Sequence, residues 1–143
     1  MITRSATARY EGFGKEGKGQ VSTQSGVLSD QQYGFGSRFE NGIGTNPEEL
    51  IAAAHAACFT MALSFALAKE GLSAGTLETT AKVKLDQDGD GFKISRSDLS
   101  LQAQVDGIDQ DRFREIAQGA KAGCPVSKLL NAEISLEIEF GAA

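Results

Sequence analysis

The stretch TNPEELIAAAHAACFTMALSFALAKEG, residues 45–71, decides the fold. Asn46 is a favoured N-cap residue, Pro47 suits the first helical position, and Glu49 follows the cap by three residues, as in a capping box. Gly71 stands where a helix commonly ends. The stretch therefore predicts one long helix over this range.

This helix carries no formal charge between Leu50 and Ala68, and its only polar residues there are His55, Thr60 and Ser64. Such a run is close to the length that spans a bilayer. Its many alanines, however, favour close approach by a sheet or a second helix, and a helix that is apolar all round is buried on most faces. We therefore expect the central helix of a soluble fold and no membrane association.

The 143 residues and the net charge of −5 limit the class of protein. The length suits a single domain, 1–143, with a proper core. The acidic balance argues against nucleic-acid binding, which calls for a basic patch. The first residues lack the apolar segment of a secretory signal, so we expect a cytoplasmic protein. In that compartment two cysteines are redox-active or catalytic more often than they form a structural disulfide, although each also suits a small buried position.

The rest of the chain alternates strands with helices. Residues 77–85 and 92–105 alternate apolar and polar side chains, as strands with one buried face do. In the second of these strands the apolar phase slips by one residue, which predicts a β-bulge near 95–98. The other expected elements are strands at 7–11, 19–25, 33–40 and 134–140, an amphipathic helix at 109–122 and a short helix from Pro125. This order predicts an α+β fold, with a mostly antiparallel sheet packed on the long helix that carries Cys58 and a second helix beside it.

Two short motifs imitate ligand sites. Residues 12–17, GFGKEG, match the dinucleotide pattern G-x-G-x-x-G, but a strand-like run follows them instead of a helix. Residues 86–91, DQDGDG, resemble the start of an EF-hand loop, but Ser97 stands where the loop has its bidentate glutamate. We interpret both as hairpin turns. With a single histidine there is no zinc set either, so no cofactor and no metal is expected.

An aromatic cluster precedes the long helix, where Tyr33, Phe35 and Phe39 accompany Arg38. The pattern fits an edge strand with a solvated arginine. It also fits an aromatic-lined surface with a single cation beside it. The residue types alone do not choose between these interpretations.

The two cysteines, Cys58 and Cys124, are too far apart in sequence for a CxxC motif. His55 precedes Cys58 by three positions on the same helical face, which suggests a Cys–His pair, although a packed core or interface histidine is the default. Cys124 begins a short helix, where free amides stabilise a thiolate. Cys58 lies mid-helix among alanines, which disfavour a thiolate unless a cation is near. Which sulfur attacks first stays open on these grounds.

Two long motifs resemble those of the OsmC/Ohr family of bacterial peroxidases. The first is GTNPEELIAAAHAACF at residues 44–59, and the second is AKAGCPVS at residues 120–127. Gly34-Phe35, Arg38-Phe39-Glu40 and the strand at 18–28 extend the resemblance over nearly the whole chain. It implies the family's intertwined homodimer as well as its α+β fold.

The resemblance also implies a role for four residues. Cys58 corresponds to the peroxidatic cysteine, which becomes a sulfenic acid, and Cys124 corresponds to the resolving cysteine, which condenses with it to an intramolecular disulfide. Arg38 corresponds to the arginine that stabilises the thiolate and polarises the peroxide. Glu48 matches the glutamate that orients this arginine. The Ohr branch takes its arginine from a more N-terminal place, so a lysine, Lys15 or Lys18, is the alternative cation.

The activity implied is reduction of organic hydroperoxides, and to a lesser degree hydrogen peroxide, during osmotic and oxidative stress. A dithiol reductant of the lipoyl type would recycle the disulfide, and an apolar pocket for the substrate would be lined by Tyr33, Phe35, Phe39, Phe59 and Met61. The alternative is a redox sensor or ligand-binding stress protein that uses the same cysteine pair without turnover.

The spacing of Glu48 and Cys58 adds a geometric prediction. Ten positions on a straight helix separate two residues by about 15 Å along the axis and about 80° around it. The two side chains therefore cannot meet within one chain. If both serve one site, Glu48 comes from a partner chain, which predicts a two-fold homodimer with composite sites.

Overall fold

The computed structural model describes residues 1–142, and their contacts divide the chain into two compact units. The first unit is Met1–Leu50, and the second begins at Ile51. Each unit contains one three-stranded sheet. The single domain expected over residues 1–143 stays a prediction.

The first unit is a small antiparallel sheet followed by a short helix. Its strands are β1 (Ala6–Glu11), β2 (Lys18–Thr23) and β3 (Gln31–Tyr33), in that order across the sheet. The glycine-rich residues 12–17 connect β1 to β2 through one turn of 3-10 helix, Gly14–Glu16, so the predicted hairpin is confirmed.

The prediction of an edge strand at 33–40 is wrong beyond Tyr33, because residues 35–39 form a helix, α1 (Phe35–Phe39). Its first turn is held by Ser37, whose Oγ accepts from the Gly34 N–H at 3.0 Å. Phe35 and Phe39 are four positions apart, which places both rings on one helical face, with centroids 5.1 Å apart. That spacing fits a helix better than an alternating strand.

The long helix, α2, spans Pro47–Lys69. Asn46 is its N-cap as predicted, since its Oδ1 accepts from the Glu49 N–H at 2.7 Å. The Glu49 carboxylate accepts from the Thr45 hydroxyl at 2.8 Å. At the other end Gly71 adopts φ 88°, a left-handed conformation that suits glycine, and so confirms the predicted helix end.

The buried residues of α2 form one stripe along the helix, and most of its faces are not buried. His55, Phe59, Leu63 and Leu67 recur every four residues and are buried. On another face Met61 and Phe65 are 61% and 66% exposed. The prediction that α2 is buried on most faces is therefore wrong for a single chain, and an apolar face is left uncovered.

The second unit has a sheet of β4 (Thr76–Asp88), β5 (Gly91–Gln104) and β6 (Glu133–Gly141). β4 pairs antiparallel with β5, and β6 pairs parallel with β5. The pairs Lys84↔Arg96 and Leu85↔Ile94 leave Ser95 as the extra residue of a bulge, where the phase slip predicted one. The predicted turn between β4 and β5 is confirmed as well.

Two further helices complete the second unit: α3 (Gln110–Gly123) and α4 (Pro125–Leu129). α3 buries the predicted face, and α4 follows directly from Cys124. The core joins side chains of α2, β5 and α3, namely Phe59, Leu63, Leu67, Leu99, Leu101, Ala103, Phe113, Ile116, Ala117 and Ala120, together with Cys124.

Asp98 makes the stability of this unit depend on pH. Hydrogen bonds from Arg96 and Ser135 lower the pKa of its carboxyl from 3.8 to about 2. A carboxyl whose pKa is lowered by folding stabilises the fold at pH values above its ordinary pKa. This contribution is lost as the pH falls from about 4 to about 2. We expect Asp98→Asn to lower the free energy of unfolding at pH 7 by at most about 1 kcal/mol, because the pair is partly exposed.

Urea unfolding at pH 7 and at pH 2 checks this expectation. At pH 2 most of the difference between Asp98→Asn and the parent chain should disappear. Asp90→Asn, in the exposed β4–β5 turn, is the matched control. A difference that stayed constant over this pH range would contradict the assignment.

Candidate active site

The two thiols, which are far apart in sequence, are neighbours in the second unit. Cys58 lies in the middle of α2 and is partly buried, whereas Cys124 joins α3 to α4 and is 1% exposed. Both are free thiols, and Cys124 lies close enough to Cys58 to raise the pKa of its thiol. Two free cysteines that are neighbours in one unit are suited to form a disulfide when their sulfurs come into contact.

Cys124 is held by the first turn of α4. As the N-cap of that helix it accepts the Ser127 N–H at 3.3 Å, and the Ser127 Oγ lies 3.1 Å from the same sulfur. Pro125 at the first helical position fixes the backbone that brings Ser127 back to the cap. The sequence CPVS therefore places polar groups around a buried sulfur.

Burial raises the pKa of the Cys58 thiol, and the hydrogen bond and proximity to Cys124 raise it further. A hydrogen bond from the backbone of Val126 acts in the opposite direction. The prediction that the surroundings of Cys58 disfavour its thiolate is confirmed. None of these groups is a cation, so an ionised Cys58 requires a positive charge from elsewhere.

Arg38, in the first unit, is a candidate for this positive charge, and it is paired with Glu48. Arg38 donates from Nε and Nη2 to the two carboxylate oxygens of Glu48, at 2.9 and 3.0 Å. This two-point contact fixes the plane of the guanidinium. Glu48 is 9% exposed, whereas the Arg38 side chain is 36% exposed. The contact engages Nε and Nη2 and leaves Nη1 outside this ion pair.

The turn between α1 and α2 positions this pair. Ser37 donates to the Thr45 carbonyl at 2.6 Å, and Asn46 donates to the Ser37 carbonyl at 3.0 Å. Gly44 has φ 125°, and a Cβ there would lie 2.4 Å from the carbonyl oxygen of Gln32. Only glycine suits this position. The motif GTNPEE thus places the acid on α2 opposite the arginine on α1.

The lysines proposed as alternatives are placed differently from Arg38. The Lys15 Nζ lies 5.1 Å from the centre of the Phe35 ring, and Lys18 is the first residue of β2. The carboxylate of Glu48 is occupied by Arg38. Of the three candidate cations, Arg38 is the one that contacts Glu48.

The predicted substrate residues separate into two groups. In the first unit Phe39 is 41% exposed with Arg38 over its ring at 5.3 Å, Phe35 lies against Phe39, and Tyr33 lies against Tyr10. In the second unit Met61 is exposed, but Phe59 is fully buried in the core. Phe59 presents no surface to a ligand, so the prediction that it contacts the substrate is wrong.

His55 is a buried polar residue, as the default interpretation expected, but its partners were not foreseen. It is 0% exposed, with Nδ1 2.6 Å from Ser97 Oγ and Nε2 2.8 Å from Ser127 Oγ. Burial lowers its pKa, which favours the neutral ring. A signal for Ser97 was present, because it shares the inward phase of Leu99 and Leu101 on β5. A polar residue at an inward position needs a partner.

Comparison with known proteins identifies the family of this chain. The family model described as OsmC-like protein matches residues 39–139. The chain belongs to the OsmC-like family. Peroxiredoxin OsmC of Escherichia coli (strain K12) is 53% identical over 97% of this chain and 97% of its own. The predicted family is confirmed.

Solved structures in the OsmC/Ohr group share the fold. The organic hydroperoxide resistance protein OhrB of Bacillus subtilis has a TM-score of 0.71 at 32% identity and covers 96% of this chain and 98% of its own. An organic hydroperoxide resistance protein from Elizabethkingia anophelis has a TM-score of 0.76 at 25% identity, over 100% and 98%. The α+β fold class is confirmed.

Family membership also decides between the two interpretations of α2. By length and composition alone this helix could cross a membrane, with a mean hydropathy of 1.9. In an OsmC-like protein it is the core helix of a soluble fold, and its buried stripe belongs to the core of the second unit.

Proposed function

We propose that this chain is a thiol peroxidase that reduces organic hydroperoxides to alcohols. The observation that carries the proposal is the pair of free, adjacent thiols of Cys58 and Cys124. A sulfenic acid beside a thiol condenses to a disulfide, which makes the oxidation reversible. The relatives named for peroxiredoxin activity and organic hydroperoxide resistance support the same class of reaction.

The reaction divides into three steps. The Cys58 thiolate attacks the terminal oxygen of the hydroperoxide, the O–O bond breaks, and the alkoxide takes up a proton to leave as the alcohol. The oxidised sulfur, now a sulfenic acid, is attacked by Cys124, which forms the disulfide and releases water. A dithiol then reduces the disulfide and is itself oxidised to a cyclic disulfide. A reducing cytoplasm, the compartment we propose, keeps such dithiols available.

Arg38 supplies the positive charge for this chemistry. A guanidinium next to Cys58 lowers the cost of the thiolate and stabilises the charge that develops on the peroxide oxygens. Glu48 holds the guanidinium in one orientation. Phe39, Phe35, Tyr33 and Met61 are proposed as the apolar surface for the organic part of the substrate.

We further propose that the active form is a two-fold homodimer in which Arg38 and Glu48 of one chain serve Cys58 of the other. Two observations support this. Glu48 and Cys58 are ten positions apart on the continuous helix α2, a spacing that points the two side chains to different places. The exposed Met61 and Phe65 leave an apolar face on the same helix, which a second copy would cover.

The dimer is tested by charging that face. We expect Phe65→Arg to shift the protein towards the monomer in sedimentation experiments and to lower turnover with it, because an arginine would be buried without a partner. Phe92→Lys, at the β4–β5 turn, is the matched control and should leave the sedimentation of the dimer unchanged. A parent chain that is monomeric and fully active would contradict the composite site.

The activity itself is tested by following cumene hydroperoxide in the presence of dihydrolipoamide. We expect many turnovers per chain, and much slower recycling with the monothiol glutathione. A redox sensor would consume one equivalent of peroxide per chain and stop. A chain whose thiols stay reduced in excess peroxide would contradict both functions.

A further inference from the structure

A buried hydrogen-bonded chain leads away from the resolving sulfur, and the peroxidase steps above do not use it. It runs from Cys124 Sγ to Ser127 Oγ at 3.1 Å, on to His55 Nε2 at 2.8 Å, and from His55 Nδ1 to Ser97 Oγ at 2.6 Å. All four residues are at least nine-tenths buried. We propose that Ser127 and His55 form a proton relay that activates Cys124 for its attack on oxidised Cys58.

The number of hydrogens on the linked side chains determines how the relay works. Ser127 has one hydroxyl hydrogen but contacts both the sulfur and the imidazole, so it donates to one and accepts from the other. When Cys124 is a thiol, its S–H points to Ser127, and Ser127 donates to His55 Nε2. That nitrogen must then be unprotonated, and Nδ1–H donates to Ser97. The lowered pKa of buried His55 fits this neutral state.

Shifting two protons along the same contacts produces the attacking thiolate. The Cys124 proton passes to the Ser127 oxygen, while the Ser127 proton passes to His55 Nε2. Cys124 is then a thiolate that accepts from the Ser127 hydroxyl and from the Ser127 N–H, and His55 is an imidazolium whose Nδ1–H stays on Ser97. The buried chain keeps the same net charge throughout, which avoids the cost of an unpaired buried ion.

The thiolate then forms the disulfide. The Cys124 thiolate gives an electron pair to the sulfur of Cys58, the S–O bond of the sulfenic acid breaks, and hydroxide leaves. The proton that Cys124 gave up completes the water molecule, and His55 returns to its neutral form. Cys58 is reduced from sulfenic acid to disulfide, and Cys124 is oxidised. Ser127 touches the reacting sulfur, whereas His55 acts through Ser127.

This inference rests on the proposed peroxidase function, and a single-turnover experiment separates the two. The reduced protein is mixed with one equivalent of cumene hydroperoxide and no reductant. Loss of peroxide reports the oxidation of Cys58, and loss of the second thiol reports the disulfide. We compare the parent chain with Ser127→Ala, Ser127→Thr and His55→Gln.

We expect disulfide formation to slow by about 10-fold to 100-fold in Ser127→Ala and His55→Gln, the usual contribution of a positioned acid–base group. Oxidation of Cys58 should fall far less, so the ratio of the two rates changes. Ser127→Thr keeps the hydroxyl and should recover most of the lost rate. His55→Gln keeps a hydrogen-bonding side chain but has no basic nitrogen, so it tests the base without depending on whether threonine fits.

Ser97→Ala is the matched control for loss of a buried hydroxyl. It removes the Nδ1 partner of His55 but leaves the contacts between Cys124, Ser127 and His55, so disulfide formation should slow only a few-fold. Equal disulfide rates in all variants, or equal slowing by Ser97→Ala and Ser127→Ala, would overturn the relay alone. A parent chain in which Cys58 is not oxidised would overturn the peroxidase function and the relay together.

Discussion

Replacing Cys58 with serine is expected to abolish turnover of organic hydroperoxides. The loss should be at least about 1,000-fold, because a hydroxyl at this position is hardly ionised and cannot form a sulfenic acid. Cys124→Ser should instead react once with peroxide and then recycle slowly, since its oxidised Cys58 has no neighbouring thiol. The measurement is loss of cumene hydroperoxide with dihydrolipoamide as reductant.

The two serine variants control for each other. Each removes one sulfur from the same part of the second unit, and circular dichroism with thermal unfolding establishes that both are folded. The first-turnover rate distinguishes them: Cys58→Ser has none, and Cys124→Ser keeps it. The opposite pattern, with Cys124→Ser inactive in the first turnover, would exchange the roles of the two cysteines.

Arg38→Ala is expected to lower turnover by about 100-fold to 1,000-fold, the effect of removing one well-placed group that stabilises developing negative charge. The loss leaves Cys58 with a pKa raised by burial and no cation to offset it. Arg38→Lys should recover only part of the rate, because an ammonium cannot make the two-point contact with Glu48. Arg112→Ala, which removes an exposed ion pair with Glu70, is the matched control and should lower turnover less than two-fold.

Mixing two inactive variants tests whether Arg38 acts across the proposed dimer. A mixed dimer of Arg38→Ala and Cys58→Ser chains has one site with both Cys58 and Arg38 intact, if the site takes them from different chains. Half of the randomly mixed dimers are of this kind, so about a quarter of the parent activity should return. Mixtures that stay as inactive as their components would contradict a composite site.

Local sequence signals predicted much of the fold because each has a direct structural cause. The cap at Asn46 and the glycine at Gly71 bounded α2, and the phase slip in β5 marked the bulge at Ser95. Residues 35–39 were misread as a strand, because aromatic residues favour strands and the capping role of Ser37 was not recognised. The exposed face of α2 was missed because apolar composition does not tell which copy of the chain covers a helix.

The candidate site was also predicted in part and missed in part. The motifs identified the thiols and the Arg38–Glu48 pair, and the structure brings together the members of each pair. The contacts of His55 were beyond the sequence, because Ser97 and Ser127 are 42 and 72 positions away from it. Contacts between distant positions depend on tertiary packing, which local patterns do not encode.

The central claim is that peroxide oxidises Cys58 and that Cys124 traps the product within the same chain. The direct measurement is peptide mass spectrometry after one equivalent of cumene hydroperoxide, with free thiols alkylated first. We predict a cross-linked peptide pair that joins Cys58 to Cys124, found in chains that migrate as monomers without reductant. Alkylation of both cysteines after the peroxide has been consumed, or cross-links only between chains, would contradict the account.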